Sequence, residues 1–414
     1  MKIVHLSTYD TGGATTAAQR INLALQKNGV DSTHLVGKKN NASSAMIQFT
    51  QPEFEGLDKI KQKGIRIANE LKLVKQKSRI NHDFLLNKPK GFEMFTSPFS
   101  NLSPENHALV KQADIIHLHW VAEFIDFELF FKKINKPIVW TMHDMNSFTG
   151  GCHYSMDCEQ YNDSCKSCPQ IAQNNIAPHF LEVKRKGLQL AKNLHFVGPS
   201  KWLFNLSKSS LAARGIEHHH IKYACDSNVF KPLNKQACKE ILGFPKDKKL
   251  ITYITPNIDN KRKGFDFLIN VVNEFKNNDQ VYFCCVGNTS QKLPVHSFGH
   301  VNDEVLMAQI YNATDLFLMP SLADNLPNVL IESILCGTPA LSFNVGGIPD
   351  IIQHGVNGIL CPVSAKELIA EIYNFLNQKY IFDCSKFASD AALEYDETKI
   401  ASQYKSLYCQ ILNH

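Results

Sequence analysis

Asp324 and Glu332 stand on either side of a helix start, in the stretch from Asp315 to Leu360 that reads DLFLMPSLADNLPNVLIESILCGTPALSFNVGGIPDIIQHGVNGIL. An ionised carboxylate has only acceptors to offer, so a pair of them suits a ligand rich in hydroxyl groups. The helix start between them, with Leu326, Asn328 and Val329 around Pro327, presents N–H groups and the positive end of a dipole, which suit an anion such as a diphosphate. Taken alone, the same residues also fit a capping Asp and a solvated Glu. Upstream, Lys261-Arg262-Lys263-Gly264 groups three cations. Arg262 offers a bidentate fork to phosphate and Lys263 a compact charge, although a bare basic run is otherwise a solvated loop. His143, with Asp144, ends the apolar run PIVWTM, at the carboxyl edge where open α/β sheets bind ligands. It is preferred as the functional histidine over His117 and His119, which beside Trp120 read as packing and hydrogen-bonding residues.

Twelve cysteines in a reducing compartment are thiols or metal ligands rather than disulfides. Four of them, Cys152, Cys158, Cys165 and Cys168, fall in one polar segment, GGCHYSMDCEQYNDSCKSCPQ, with five, six and two residues between them. Four thiolates so close make a tetrahedral structural zinc the expectation. An unmetallated or redox-sensitive cluster stays open, and a catalytic metal is the least favoured. Between Lys59 and Arg79, eight Lys or Arg accompany an apolar stripe of Ile60, Ile67, Leu71 and Val74. That pattern fits contact with an anionic membrane or a lipid-diphosphate, and equally an ordinary amphipathic surface helix.

The elements that must position these residues alternate between strand and helix. Ile3 to Ser7, the turn Gly12-Gly13 and a helical stretch from Thr16 to Asn28 ending at Gly29 form a strand, glycine turn and helix of the doubly wound type. Further strands are expected at Ile115 to His119 and Ile138 to Met142, with His195 to Gly198 as the last of the first half. A second series runs through Leu250 to Ile254, Val281 to Val286, Leu316 to Met319 and Ala340 to Phe343. In the helix between the last two, Leu330, Ile331, Ile334 and Leu335 recur at three and four and belong against the sheet. The fold class expected is α/β, with two Rossmann-like doubly wound domains facing a cleft: 1–198, 199–394, and a final helix from about 395 packing back on the first.

A chain of 414 residues exceeds what one core usually supports. Its 44% hydrophobic and 20% charged residues are ordinary for a globular protein. The net charge of +5 points to no nucleic-acid partner and is compatible with anionic substrates. The amino terminus MKIVHLSTYD reads as a strand and not as a secretory signal, and no apolar run reaches the length of a spanning helix. A cytoplasmic location is expected, with at most a peripheral position on the inner face of the cell membrane.

The segment resembles the donor site of retaining glycosyltransferases of the GT-B fold, the family 4 group. That family carries an acidic residue, seven intervening residues and a Glu, matched by Asp324 and Glu332. The Gly337-Thr338-Pro339, Gly346-Gly347-Ile348-Pro349-Asp350 and Gly355-Val356-Asn357-Gly358 turns match as well. The resemblance implies a hexosyltransferase-type enzyme that moves a sugar from a nucleotide diphosphate sugar, of UDP or GDP, to a glycan or lipid-linked acceptor in bacterial surface polysaccharide synthesis. It implies that Glu332 holds ribose or donor hydroxyls and Asp324 the donor sugar. Lys263 with Arg262 would neutralise the departing diphosphate, His143 would lie beside the transferred sugar, and Gly12 and Gly13 would face the donor phosphate and acceptor. No two aspartates are separated by a single residue, so the Asp-x-Asp signature of metal-dependent transferases is missing and no catalytic cofactor is expected. Departures exist: the family's Arg falls near Asn257, Lys222-Tyr223-Ala224 replaces Pro-Asn-Gly, and Leu326-Pro327-Asn328 replaces Gly-Phe-Gly. These keep two alternatives open, a catalytically silent nucleotide-sugar-binding protein and a nucleotide-sugar epimerase.

Overall fold

The computed structural model describes residues 1–42, 44–51, 94–171, 175–289 and 293–413; the basic stretch from Lys59 to Arg79 lies outside them. The chain divides into two compact units. The first comprises Met1–Pro199, Leu203–Ile221 and Ser402–His414, and the second Ser200–Trp202 and Lys222–Ala401.

The first unit is built on seven strands: β1 (Lys2–Tyr9), β2 (Asp31–Lys38), β3 (Ile47–Gln48), β4 (Ile115–Leu118), β5 (Ile138–Thr141), β6 (Leu194–Gly198) and β7 (Glu217–His220). Their order is β3-β2-β1-β4-β5-β6-β7, and every pairing is parallel. The central strands β4, β5 and β6 are buried along their whole length, as parallel strands covered on both faces must be. The helix after β1 is Gly13–Lys27, three residues earlier than the apolar pattern alone suggests. Gly12 takes φ 99° and its carbonyl accepts the Thr16 N–H at 2.9 Å, so the turn feeds directly into the helix.

The boundary expected after residue 198 is corrected. β6 is not the last strand of this sheet, because β7 pairs with it from His195↔Glu217 to Gly198↔His220. β7 reads EHHH and is only half-buried; an edge strand with one neighbour needs no apolar run, which hides it from a hydrophobicity reading. The final helix, Glu397–Asn413, supplies this unit with two fully buried rings. Tyr404 Oη and Thr141 Oγ1 are 2.8 Å apart, and Tyr408 Oη lies 2.7 Å from His117 Nδ1.

The second unit repeats the plan with β8 (Lys249–Asn257), β9 (Val281–Asn288), β10 (His296–Ser297), β11 (Leu316–Met319), β12 (Ala340–Phe343) and β13 (Gly358–Cys361). The order is β10-β9-β8-β11-β12-β13, again all parallel. Ile251, Leu268, Leu316, Leu341 and Ile359 meet in its core. The helix Asn328–Leu335 buries Leu330, Ile331, Ile334 and Leu335, the face its periodicity assigns. Among the described residues, no helix is long and apolar enough to cross a membrane.

Candidate functional site

In the second sheet the strand order reverses between β8 and β11, and the crevice outside the carboxyl ends of such a pair is where open α/β sheets receive ligands. The loops leaving these two strands carry the basic run and Asp324. The structure brings them together. Lys263 Nζ donates to Asp324 Oδ2 at 2.7 Å, and Arg262 Nη1 lies 3.5 Å from Asp324 Oδ1 while donating to the Ala323 carbonyl. Burial alone would raise the Asp324 carboxyl, but Lys263 and Arg262 outweigh it and hold the group below its usual value. The carboxylate is therefore ionised, with two cations gathered on it. The Leu322 N–H donates to the Arg262 carbonyl at 2.7 Å, so the two loops are also joined through the backbone.

Two glycines permit this approach. Gly264 adopts φ +85°, and a Cβ there would lie 2.0 Å from the Pro320 carbonyl oxygen. On the far side, Gly347 donates its N–H to the Asp324 carbonyl at 2.9 Å, and a Cβ on it would come within 1.8 Å of the Asn325 carbonyl oxygen. The Gly-Gly turn after β12 thus clamps the Asp324 loop by backbone contact that only glycine allows.

Glu332 sits in the helix that opens beside this loop, but it does not share the partners of Asp324. It is buried, 6% exposed, and its Oε2 accepts from the Tyr311 hydroxyl at 2.9 Å; the solvated-surface alternative is thereby ruled out. The same helix has Pro327 at its N-cap and no side-chain cap, so Asp324 does not cap it. Leu326 is buried, while Asn328 and Val329 are half-exposed. Tyr311 was not foreseen, since it comes from the preceding helix Glu304–Ala313 and nothing in its local pattern marks it.

In the first unit His143 follows β5 and belongs to a buried line of imidazoles. Its Nε2 is 3.0 Å from His119 Nδ1, and His119 Nε2 is 2.8 Å from His5 Nδ1. His117 bonds Tyr408 and, through Nε2, Thr141 Oγ1 at 2.8 Å; His34 bonds Ser7 Oγ at 2.9 Å. Beside them Asp144 accepts from Trp120 Nε1 at 2.8 Å and pairs with His153 Nδ1 at 2.7 Å. Burial would raise the Asp144 carboxyl; His153 and these hydrogen bonds reverse that and lower it. Gly12 and Gly13 open the helix after β1, on the same sheet. Reading His117 and His119 as packing residues agrees with this arrangement, though His119 also touches His143 directly.

Burial pulls His143 down to about 4 and His34 to about 3, and it carries His5, His117 and His119 well below 6.5. These five rings are neutral in the fold and basic when unfolded, so the unfolded chain binds more protons and stability falls with falling pH. The loss begins at 6.5 and continues to about 4 for His143, each ring adding up to about 1.4 kcal/mol per pH unit. Urea unfolding followed through that window should show a steeply falling midpoint, and a flat midpoint would contradict the neutral network.

The four clustered cysteines line a single small cavity and are free thiols. Burial pushes Cys152 up to about 12 and Cys165 up to about 11. Among the described residues, the groups of three or more potential metal ligands within 4.8 Å of one another are His5 with His117 and His119, and His195 with Glu217 and His219. Both nitrogens of His117 and of His119 are already taken by the hydrogen bonds above.

Two parallel doubly wound units are the architecture of the GT-B class, and comparison with solved structures agrees. The chain aligns with sucrose-phosphate synthase from Thermosynechococcus elongatus over 100% of both chains, with a TM-score of 0.67 and 16% identity. It aligns with Anabaena HepE, solved with UDP and glucose, over 98% of this chain and 99% of that one, with a TM-score of 0.64 and 17% identity. At such identities the likeness is one of fold. Residues 248–378 match the family model described as glycosyl transferases group 1. The chain thus has the GT-B fold, and the stretch that matches glycosyl transferases group 1 lies within its second unit.

Curated relatives align mainly over part of their length. N-acetyl-alpha-D-glucosaminyl L-malate synthase of Bacillus anthracis is 32% identical over 123 residues, which is 27% of this chain and 32% of that protein. The putative teichuronic acid biosynthesis glycosyltransferase TuaC of Bacillus subtilis is 26% identical over 35% of this chain and 37% of its own length. The putative colanic acid biosynthesis glycosyl transferase WcaC of Escherichia coli extends further, 23% identical over 63% of this chain and 66% of that one.

Proposed function

We propose that the chain transfers a hexose from a nucleotide diphosphate sugar to a glycan or lipid-linked acceptor, with retention of anomeric configuration, in the synthesis of a bacterial surface polysaccharide. The observation that carries the reading is the meeting of Lys263 and Arg262 with Asp324 at the strand-order reversal of the second sheet. Cleaving the anomeric bond delivers negative charge to the diphosphate while the sugar turns cation-like. Lys263 and Arg262, already gathered and partly desolvated, stabilise the departing diphosphate; Asp324 holds them in place until the donor arrives and then accepts from donor hydroxyls. Glu332, oriented by Tyr311, takes the ribose hydroxyls with its acceptor capacity. The helix start at Asn328 and Val329 offers backbone N–H groups to the phosphates, although Pro327 contributes none. His143, neutral and held by His119, bonds a hydroxyl of the transferred sugar without acting as a base. The HepE structures, solved with UDP and glucose and with UDP-glucose, and the polysaccharide roles named for TuaC and WcaC lend support to the donor and acceptor classes.

The test is a thermal-shift screen of nucleoside diphosphates followed by product analysis with an acceptor panel. UDP or GDP at a hundredfold its Kd should add about 2.7 kcal/mol of stability, and transfer should keep the donor's anomeric configuration. Binding without turnover would favour a silent nucleotide-sugar-binding protein, sugar isomerisation without acceptor would favour an epimerase, and absence of both binding and turnover would end the proposal.

A further inference from the structure

The segment from Asp144 to Gln170 contains no regular helix or strand beyond the short turns Asn146–Phe148 and Gln160–Asn162, yet it buries Cys152 and Cys165 and half-buries Cys158 and Cys168. Cys152, Cys158, Cys165 and Cys168 all line one cavity of about 10 Å³, which Phe95 and Tyr161 also line. A space of that size holds about one water-sized sphere. Four cysteines around room for about one atom suit a single ion better than a multi-iron cluster.

Backbone amides point at two of the sulfurs. Gly150 directs its backbone N–H to the Cys165 sulfur, and Gln170 and Ile171 direct theirs to Cys168. Amide N–H groups aimed at sulfur favour the thiolate, the form that binds metal. Cys165 is held at φ 53°, a left-handed conformation that non-glycine residues seldom adopt and that marks functional positions when the surroundings enforce it. Gly150 accommodates it closely: a Cβ there would lie 3.1 Å from the Cys165 sulfur. The ammonium of Lys184, buried, lies near Cys152, Asp144 and Cys165 and donates to the Asn146 carbonyl. Four thiolates on a divalent cation carry two net negative charges, and Lys184 is a buried positive charge shared between them and Asp144.

The geometry points to a single tetrahedral thiolate-bound metal ion, zinc by its ligand set, held by Cys152, Cys158, Cys165 and Cys168. Zinc–sulfur bonds of about 2.3 Å place tetrahedral sulfurs about 3.8 Å apart. The four cysteines do not supply three sulfurs within 4.8 Å of one another, so binding draws the ring inward by rotation about the side-chain bonds. The four thiol protons leave to solvent as the metal–sulfur bonds form. What the ion fixes is the loop that carries His153, next to Cys152, and through His153 the carboxylate of Asp144 at 2.7 Å. The role is one of architecture, distinct from the proposed transfer chemistry.

The test uses the full chain purified without chelator and without added metal. Elemental analysis should find about one zinc per chain, released in step with mercurial titration of four thiols. Exchange with Co²⁺ should give the intense sulfur-to-cobalt absorption of a tetrathiolate, a readout that needs no enzymatic activity and no variant. Cys165→Ser and Cys168→Ser should lose the zinc, whereas Cys409→Ser, at an exposed position far along the chain, should keep it. The assignment is overturned if neither zinc nor cobalt binds to the wild-type chain, if an iron–sulfur chromophore appears, or if folded variants lacking these cysteines retain the metal, which would move it to the histidines of the first sheet.

Discussion

Lys263→Ala should lower kcat/KM for sugar transfer by two to three orders of magnitude, about 3–4 kcal/mol of transition-state stabilisation. In the Asp324 loop the ammonium is 2.7 Å from a carboxylate that is 8% exposed, so it is already stripped of much of its water and fixed in direction. A cation prepared in this way needs little reorganisation as charge develops on the diphosphate, and that is where such groups exceed a solvated lysine. Arg262 remains after the substitution and partly compensates. It is occupied, however, by the Ala323 carbonyl, and it reaches Asp324 Oδ1 only at 3.5 Å. Nucleoside diphosphate affinity measured calorimetrically should fall less than turnover, because the ground state carries less charge at the bridging oxygen. Turnover near that of the wild type would remove Lys263 from the mechanism.

Asp324→Ala should cost about 3–5 kcal/mol of stability, because deleting one member of a buried ionic group leaves the others uncompensated. The charges left behind are Lys263 and Arg262, which the backbone link between Leu322 and Arg262 keeps close. Chemical unfolding of wild type, Asp324→Ala and Asp324→Asn at several pH values checks the origin of the effect. The carboxyl is held below the ordinary 3.8 in the fold, so its contribution is present above that value and is lost as pH falls through the lower folded one. The gap between wild type and variants should therefore persist between pH 6.5 and about 4, where the loss assigned to His143 falls, and close only below 3.8. A gap that closed together with the histidines would show that the variants act through the first unit and not through this ion cluster.

The local parts of this architecture were legible. Apolar runs such as LFLM and ALSF are strands because a parallel sheet covered on both faces leaves no polar positions, and the three-and-four spacing of Leu330, Ile331, Ile334 and Leu335 marks one face of a helix. The basic run and Asp324 could be assigned to the same sheet edge because both follow strands, and topology does the rest. What stayed hidden depends on partners distant in the chain. β7 carries three histidines and a glutamate because it has one neighbour, and β10 and β13 are too short to show a period. The pairing of His5 with His117 and His119 follows from register between β1 and β4, which no window of sequence contains. The Tyr311 contact with Glu332 spans 21 residues, and the turn Gly346-Gly347 meets Asp324 only through the crossing of β11 and β12 loops. Charged residues at a binding edge announce their chemistry by type; the groups that orient them do so only in three dimensions.

Tyr404 and Tyr408 have a consequence for how the molecule is made. Their hydroxyls finish hydrogen bonds to Thr141 and His117, in the middle of a sheet whose seven strands are all translated by His220. A nascent chain leaving the ribosome therefore holds an unfinished amino-terminal domain, with His117 and Thr141 bonded to each other but lacking their tyrosine partners, throughout the synthesis of the second. Only the arrival of Tyr404 and Tyr408 closes it. A truncation before Tyr404 that spares the second domain would still leave the first one open.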